Sequence, residues 1–459
     1  MSHNLAEMFS LLVDDDAPIS FRGYDGSTLE RTGAVGVVEV RSPRALRYLA
    51  TAPGQLGLAR AYVTGDIELR GDPYATLLTL TRHSRRPIPW GEMLASMQRW
   101  MLRRPAVPAE EAPPPWRRGA VRHSRHRDAL AVSHHYDVSN RFYELLLGPT
   151  MTYSCAVFDG PNTTLEDAQR EKLDLVCRKL DLRPGQRLLD VGAGWGGLVR
   201  HAAEHYGVMA VGVTLSGPQA EWAQRAIRRA GLGDRAEVRH LDYRDLHEGD
   251  FDAIASVGAM EHFGGAELAS HFSSMIGRLR PGGRMLNHSI TRSWGSQPRR
   301  TGKFIDRYVF PDGELESLPV VIGAMNDQGF EIRHEENLRE HYVLTLREWA
   351  RNLERRWTEA VAEVGERRAR VWRLYMATSR IGFTSNQIQI HQVLGVRVDR
   401  QGDSGNPPRP SWRRLGEPAA VVRASGRRYD STGSVLSETG SLETPTPTGQ
   451  LTPVPPSPQ

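Results

Sequence analysis

The chain has 459 residues, too many for one compact core, and its 39% hydrophobic and 25% charged residues are typical of a soluble globular protein. Its two cysteines argue against a disulfide framework and suit a reducing cytoplasm, while no apolar run is long enough to span a membrane. The net charge of +5 and pI near 9.3 indicate an anionic partner, either a phospholipid surface or a nucleic acid. The first 16 residues lack a basic segment, so no signal peptide is expected.

Residues 1–86 are predicted to form a small α/β module without an obvious catalytic cluster. Apolar runs indicate the strands, and a proline suits the first helical turn because it lacks an N–H group that would stay unpaired there. The expected strands span 35–40 and 67–69, and the expected helices span 43–49, 56–62 and 73–80. We therefore expect this module to serve as an accessory or lipid-docking domain.

Residues 87–127 combine an apolar helical face with many arginines. Trp90, Met93, Met97 and Trp100 recur at helical spacing, and a Pro/Arg-rich linker follows them. A basic amphipathic helix with such a linker can lie on an anionic bilayer. The pattern is equally typical of a helix that packs on a neighbouring domain and leads into a solvated connector.

Apolar strands alternate with amphipathic helices through a second predicted domain, residues 128–398. The expected strands span 187–191, 209–213, 236–240, 251–257, 284–290 and 387–398, and the expected helices span 164–180, 198–206, 219–230, 268–279 and 338–380. This alternation predicts a Rossmann-like α/β fold with a parallel sheet and helices on both faces.

Two further segments of the chain show no such alternation. Residues 291–313 are expected to form a long basic loop, which in a compact domain is usually functional or disordered. Residues 399–459 are rich in Gly, Ser, Thr and Pro and poor in aromatic residues, so we expect a disordered tail.

A glycine-rich turn follows the strand 187–191 and precedes a helix, a pattern that is typical of a nucleotide-binding loop. Gly192, Gly194 and Gly197 satisfy the dinucleotide fingerprint. A dinucleotide site also needs an acid at the end of the next strand, but that strand ends in 214–216 without one. Asp190 instead stands at the end of the first strand, which favours S-adenosylmethionine (SAM), a sulfonium cation that also carries a carboxylate.

Seven separated motifs together resemble the cyclopropane-fatty-acyl-phospholipid synthase family. The matching segments are 134–140, 153–156, 189–197, 214–216 with Gln219, 260–264, 287–290 and 388–389. The N-terminal module is similar to actinobacterial members, which include enzymes that make mid-chain methylene- or methyl-branched acyl chains. The chain departs from the family at Ala193, where many members have cysteine, and in its long tail.

The resemblance implies a class I SAM-dependent methyltransferase that adds a one-carbon unit to a double bond in an unsaturated phospholipid acyl chain. The product would be a cyclopropane or a mid-chain methylene-branched acyl group. Such an enzyme would be cytoplasmic and peripheral at the inner face of the membrane, with the anionic surface and the acyl chain as partners. A second copy of the chain, in a homodimer, is a further candidate partner.

The resemblance also implies which residues form the site. The cofactor would be bound by Tyr153, Ser154, Asp190, Gly192, Gly194, Gly196, Thr214, Gln219, Tyr243 and Arg244. The family holds a bicarbonate ion as the base, and its binding groups correspond to Cys155, Glu261, His288, Ile290 and Tyr375. Of these, the catalytic residues would be Cys155, Glu261, His288 and Tyr375, and no metal site is expected.

Two alternative functions are weighed against this one. A SAM-dependent methyltransferase of a soluble small molecule would share the same glycine loop. A basic nucleic-acid-binding protein would use the arginines of 99–127, but no aromatic-interleaved binding motif accompanies them, so we expect no nucleic-acid partner.

Overall fold

The structure is a computed structural model that describes residues 3–84, 105–113, 124–136, 138–262, 264–293 and 302–407, together with 412, 428–429 and 435–436. The predicted amphipathic helix between 90 and 101 lies outside the described residues, as does most of the predicted linker and tail. Within the tail, Arg428–Tyr429 and Val435–Leu436 form a two-stranded antiparallel pair.

The N-terminal module is a four-stranded sheet packed against helices. The strands are β1 (Ile19–Gly23), β2 (Thr28–Leu29), β3 (Gly36–Val40) and β4 (Ile67–Gly71), in the order β2-β1-β3-β4. The helices are α1 (Leu5–Ser10), α2 (Pro43–Thr51), α3 (Gln55–Val63) and α4 (Pro73–Arg82). All five predicted elements are confirmed, whereas α1, β1 and β2 were not predicted.

Side-chain caps explain why two of these helices begin where they do. The Ser42 hydroxyl accepts a hydrogen bond from the backbone N–H of Arg44, and the Asp72 carboxylate accepts one from Tyr74. A proline follows each cap and needs no partner for its nitrogen. Both helix starts are therefore fixed by local sequence.

The second domain, residues 128–398, which the resemblance predicts to be the catalytic domain, is built on a seven-stranded sheet in the order β10-β11-β9-β8-β5-β6-β7. The strands are β5 (Arg187–Val191), β6 (Met209–Thr214), β7 (Ala236–His240), β8 (Phe251–Val257), β9 (Leu279–Arg292), β10 (Glu331–Asn337) and β11 (Ile388–Val396). Strands β5 to β9 are parallel, so their carboxyl ends meet at one edge, where ligands bind in such sheets.

Eleven helices of the described residues surround this sheet. They are α5 (Arg125–Tyr136), α6 (Asn140–Leu147), α7 (Leu165–Lys179), α8 (Gly197–Tyr206), α9 (Gly217–Arg229), α10 (Leu268–Arg278), α11 (Lys303–Tyr308), α12 (Leu318–Asp327), α13 (Arg339–Arg355), α14 (Trp357–Val364) and α15 (Glu366–Thr384). Among the described helices, none combines the length and the apolar character needed to cross a bilayer.

Three predictions for this domain were wrong in part. Strand β9 begins at Leu279 and runs through the segment 281–283, which was expected to separate a helix from a strand; Gly282, with φ +79°, accommodates the irregular backbone there. Residues 303–308, predicted as part of a loop, form α11. Residues 399–407, assigned to the disordered tail, form a turn in which the Asp399 carboxylate accepts backbone hydrogen bonds from Gln401 and Asp403.

The sheet is also mixed and not wholly parallel, because β11 runs antiparallel to both β9 and β10. Helices α13 to α15 connect β10 to β11. The chain leaves β10 and enters β11 at the same edge of the sheet, where the backbone N–H of Leu338 donates to Ile390. A strand that starts at the edge where the preceding strand ended must run in the opposite direction, so β11 is antiparallel to β10.

The N-terminal module packs on α15. The Arg370 guanidinium is 3% exposed and donates to the carbonyls of Tyr62 and Ile67 at 2.7 and 2.9 Å and to the Glu68 carboxylate at 2.8 Å. The Tyr74 hydroxyl lies 3.0 Å from that of Thr384. The catalytic domain therefore supplies hydrogen-bond partners for these polar groups of the N-terminal module.

Candidate active site

The glycine loop connects β5 to α8 in a conformation that needs glycine. Gly192, Gly194 and Gly196 have φ values of +79°, +54° and +72°, which residues with a side chain rarely adopt. A Cβ atom on Gly194 would meet only the Gln219 amide, at 3.9 Å, so this part of the loop backbone is open to a ligand. A Cβ atom on Gly196 would lie 3.1 Å from Ala223 and Val238, which places that glycine against the protein interior.

A cleft with about 1010 Å³ of empty volume, counting its open mouth, lies over this loop at the carboxyl edge of the sheet. Eight of the ten predicted cofactor residues line the cleft: Tyr153, Ser154, Asp190, Gly192, Gly194, Thr214, Gln219 and Tyr243. Gly196 and Arg244 are not part of its lining, whereas Gly197 is. The Arg244 guanidinium is held by Asp242 at 2.6 Å and by Asp128 at 3.3 Å.

Side chains at the end of β6 hold one another in place. The Thr214 hydroxyl donates to Gln219 Oε1 at 2.8 Å and accepts from the backbone N–H of Ser216 at 3.2 Å. The Ser216 hydroxyl caps α9. Gln219 is therefore fixed with its Nε2 group towards the glycine loop.

A buried lysine, Lys172, belongs to the cleft but was not predicted. It is 2% exposed, and its ammonium donates to the Ser154 hydroxyl at 2.9 Å. Burial lowers the pKa of Lys172 to about 8, against the opposing effect of Asp190, and burial raises the pKa of Asp190 to about 7. A signal was present in the sequence, because Lys172 falls on the apolar face of α7 with Leu165, Ala168 and Val176.

Glu261 lies in a short 3₁₀ helix, Met260–His262, directly after β8. Its Oε1 accepts a 2.6 Å hydrogen bond from the backbone N–H of Ile290, which brings these two predicted residues together. Its Oε2 is buried and has no partner among the described residues. Burial raises the pKa of Glu261 to about 7. An unpartnered buried carboxylate oxygen is costly, so its presence here marks Glu261 as a candidate functional residue.

His288 lies on β9 opposite Val257, level with the carboxyl end of β8. Its Nδ1 is 3.0 Å from the amide of Gln392, while its Nε2 is buried without a partner among the described residues. Burial, and then the nearby Lys172, lower the pKa of His288 well below its usual value, so the imidazole is neutral.

Cys155 is fully buried, and its thiol lies within 3.7 Å of the Leu338 carbonyl. Burial raises the pKa of this thiol far above its usual value. A protonated thiol is a poor nucleophile, so the geometry gives no support to covalent chemistry at Cys155.

Aromatic side chains form a wall beside Glu261. The Tyr153 hydroxyl donates to the Tyr375 hydroxyl at 3.1 Å, and Phe310 stands 6.0 Å from the Tyr375 ring. The Tyr136 hydroxyl lies 3.4 Å from Nε2 of His262, the residue after Glu261, and burial, followed by the charge of Glu261, raises the pKa of Tyr136. The site therefore combines a buried carboxylate with several aromatic rings.

These residues fit the two groups that the sequence implies. The cleft offers a SAM molecule a buried acid, a lysine and an open loop backbone. Glu261 Oε2 and His288 Nε2 are each buried without a partner among the described residues, and each has the chemistry to share a hydrogen bond with an oxygen of a small ion. The assignment of each residue to cofactor or ion stays a prediction.

The chain is similar to known lipid-modifying enzymes. The sequence profile described as "Mycolic acid cyclopropane synthetase" matches residues 123–393. A probable fatty acid methyltransferase of Mycobacterium tuberculosis is 49% identical over 405 residues, covering 86% of this chain and 95% of the relative. The cyclopropane-fatty-acyl-phospholipid synthase of Escherichia coli is 35% identical over 286 residues, covering 60% and 72%.

A solved structure gives the same picture. The crystal structure of mycolic acid cyclopropane synthase CmaA1 complexed with SAH and CTAB is 34% identical, with a TM-score of 0.56, and the match covers 58% of this chain and 97% of that one. The predicted Rossmann-like fold, the SAM cofactor and the lipid class of substrate are therefore confirmed.

Proposed function

Because this chain belongs to the mycolic acid cyclopropane synthetase family and is a SAM-dependent methyltransferase of lipids, we propose that it modifies the acyl chains of membrane phospholipids. It adds a one-carbon unit to a double bond and leaves a cyclopropane or a mid-chain methylene-branched acyl group. The phospholipid substrate is supported by the similarity to the Escherichia coli synthase.

The observation that carries this proposal is the pairing of an unpartnered carboxylate oxygen, Glu261 Oε2, with an aromatic wall. An alkene that gains a methyl group becomes a carbocation. Negative charge and the faces of aromatic rings both stabilise a cation. A soluble amine or hydroxyl substrate would become no such cation, and its methyltransferase would have no need for this wall.

SAM supplies the methyl group, whose carbon forms a bond to one alkene carbon as its bond to sulfur breaks. The glycine loop and Gln219 orient the donor, and the rings of half-buried Tyr153 and buried Tyr375 keep water from the cation. Loss of one proton from the new methyl group then closes the ring. If a hydride first moves the cation to the carbon that bears the methyl group, the same loss gives a methylene branch.

Glu261 and His288 are proposed to hold the base. Bicarbonate bound between them would supply the oxygen that takes the proton. Glu261 Oε2 and His288 Nε2 would each share a hydrogen bond with that ion, and the Ile290 N–H keeps the Glu261 carboxylate in place. Cys155 and Tyr375 are proposed to complete the site.

The enzyme is proposed to act at the cytoplasmic face of a membrane, to which it binds peripherally. The acyl double bond lies within the bilayer, whereas SAM is soluble, so the chain must be drawn from the surface into the cleft. The arginines of 99–122 are proposed to bind anionic headgroups. Arg127, which the sequence placed in the same basic segment, is instead buried and paired with Asp312.

The test is to express the protein in a bacterium that lacks such enzymes and to supply methionine labelled with three deuteriums on its methyl group, from which the cell makes labelled SAM. Mass spectrometry of extracted phospholipids should find acyl chains that have gained the carbon with two deuteriums, because the third leaves as the proton. Hydrogenation then separates methylene from cyclopropane products. Label found only in water-soluble products, or retention of all three deuteriums, would contradict the proposal.

A further inference from the structure

A row of polar side chains crosses three neighbouring strands beside the proposed base. Glu336 on β10 pairs with Gln392 on β11, and Gln392 pairs with His288 on β9. Residues paired across adjacent strands project to the same face of a sheet. The row therefore runs from an edge strand of the sheet to the histidine of the active site.

Lys179, the last residue of α7, enters this row. Its side chain is fully buried, and its ammonium donates to the Glu336 carboxylate and, at 2.7 Å, to Gln392 Oε1. An ammonium group can only donate hydrogen bonds, so Gln392 must turn its oxygen towards Lys179. The Gln392 amide nitrogen, a donor, then faces His288 Nδ1 at 3.0 Å.

This orientation decides where His288 carries its proton. Because Nδ1 accepts from Gln392, it has no proton of its own. Burial, followed by the charges of Lys172 and Lys179, lowers the pKa of His288, so the ring is neutral and its single N–H is at Nε2. That N–H is buried and has no partner among the described residues. A buried donor without an acceptor is unfavourable, so the arrangement calls for an acceptor from a ligand.

We propose that Lys179 and Gln392 are positioning residues that fix His288 as the Nε2–H tautomer, so that it donates to an oxygen of the bound anion. The choice of bicarbonate as that anion rests on the proposed function, whereas the tautomer does not. The negative charge of Glu336 balances the positive charge of Lys179. The buried ammonium group can therefore hold the Gln392 amide in its orientation.

The first test is ¹⁵N NMR of the wild-type protein with labelled histidine imidazoles, in which the His288→Gln variant identifies the His288 signals. We expect a protonated Nε2 and an unprotonated Nδ1. A proton on Nδ1, or a doubly protonated ring near neutral pH, would overturn the proposal. This measurement needs no folded variant of Lys179 or Gln392.

The second test is Gln392→Glu. A carboxylate can accept from both Lys179 and His288, so the imidazole proton should move to Nδ1. An incorrect histidine tautomer costs about 10⁴-fold in a serine protease, and we expect kcat to fall at least about tenfold here with KM for SAM unchanged. The matched control, Gln387→Glu, makes the same change at an exposed position near the start of β11 and should retain activity and tautomer.

Sodium bicarbonate separates the two proposals. If bicarbonate is the anion, Gln392→Glu should need at least about tenfold more of it for half-maximal turnover. If His288 has the expected tautomer but turnover does not depend on the bicarbonate concentration, the positioning role is supported. Bicarbonate as the base in the proposed function is then contradicted. An unchanged tautomer in folded Gln392→Glu would contradict the positioning role.

Discussion

Glu261 shows how a single residue can be recognised as functional from its surroundings. One carboxylate oxygen is satisfied by the Ile290 N–H, and the other is buried without a partner among the described residues. The sequence already made this residue hard to explain as structural, because Met260 and Phe263 flank it. The structure adds that its neighbours are aromatic rings.

We expect Glu261→Gln to retain SAM binding and to lose most turnover. The amide has the same shape but carries no negative charge, so it neither stabilises the cation nor holds the base as the carboxylate does. Removal of one such electrostatic group typically costs 10²–10³-fold in kcat, about 3–4 kcal/mol. Isothermal titration with SAM and a lipid product assay give the two readouts. Product formed at a rate near that of the wild type would argue against a catalytic role.

The same substitution should make stability less dependent on pH. Burial raises the pKa of Glu261 to about 7, so the folded state keeps a proton that the unfolded state loses near its ordinary value of 4.5. The Glu261 carboxyl group therefore contributes about 3 kcal/mol to the free energy of unfolding. This contribution is fully present below pH 4.5 and is lost as pH rises through 7.

Urea denaturation at pH 5 and pH 8 measures this effect. Wild type should lose more stability than Glu261→Gln over the interval, while the exposed Glu221→Gln should match wild type. Equal losses in wild type and Glu261→Gln would mean that the carboxyl is not buried in this way.

The individual residues that sequence did not reveal are polar groups whose role depends on distant partners. Lys172 meets Ser154 and Asp190 only after folding, and Lys179 reaches Gln392 across more than 200 positions of the chain. Periodicity alone could have marked both lysines as unusual, because they lie on the buried face of α7.

At the scale of elements, the sequence predicted helices and strands well where a capping residue or a turn residue marks their ends. Ser42, Asp72 and Thr164 each begin a helix through a side-chain hydrogen bond. The direction of β11 could not be predicted, because it depends on the edge at which three intervening helices return the chain. The segment 281–283 was mispredicted for a related reason: Gly282 and Gly283 exchange backbone hydrogen bonds with Arg397, so the chain stays in the sheet despite a turn-forming composition.

One contact between elements should dominate the attachment of the N-terminal module. Arg370→Met leaves the Glu68 carboxylate and the Tyr62 and Ile67 carbonyls without this guanidinium, and removal of one partner of a buried ion pair costs about 3–5 kcal/mol. Thermal unfolding should show the loss. The exposed Arg355→Met should change stability by less than about 0.5 kcal/mol. Equal stability of the two variants would rule out Arg370 as a major contact.

At the scale of the whole molecule, substitutions in the Pro/Arg-rich linker test how the enzyme binds the membrane that holds its proposed substrate. Each basic group near an anionic surface contributes about 1 kcal/mol, so changing Arg117, Arg118 and Arg122 to Gln should weaken vesicle binding about 100-fold at low salt. Co-sedimentation with phosphatidylserine vesicles measures the change, and SAM affinity should be unaffected.

The matched control removes three exposed arginines elsewhere, Arg170, Arg183 and Arg225, and so makes the same change in net charge. It should bind vesicles nearly as well as wild type. If both triple variants bind equally, attachment depends on overall charge and not on the linker.

Both cysteines of the chain are fully buried, and burial raises the pKa of each thiol. Neither sulfur can then be alkylated or oxidised while the fold is closed, because a reagent needs both access and the thiolate. The rate at which iodoacetamide modifies the native enzyme consequently reports how often the catalytic domain opens. Cys155 follows Ser154 of the cleft wall, so saturating SAM should lengthen the lifetime of its thiol.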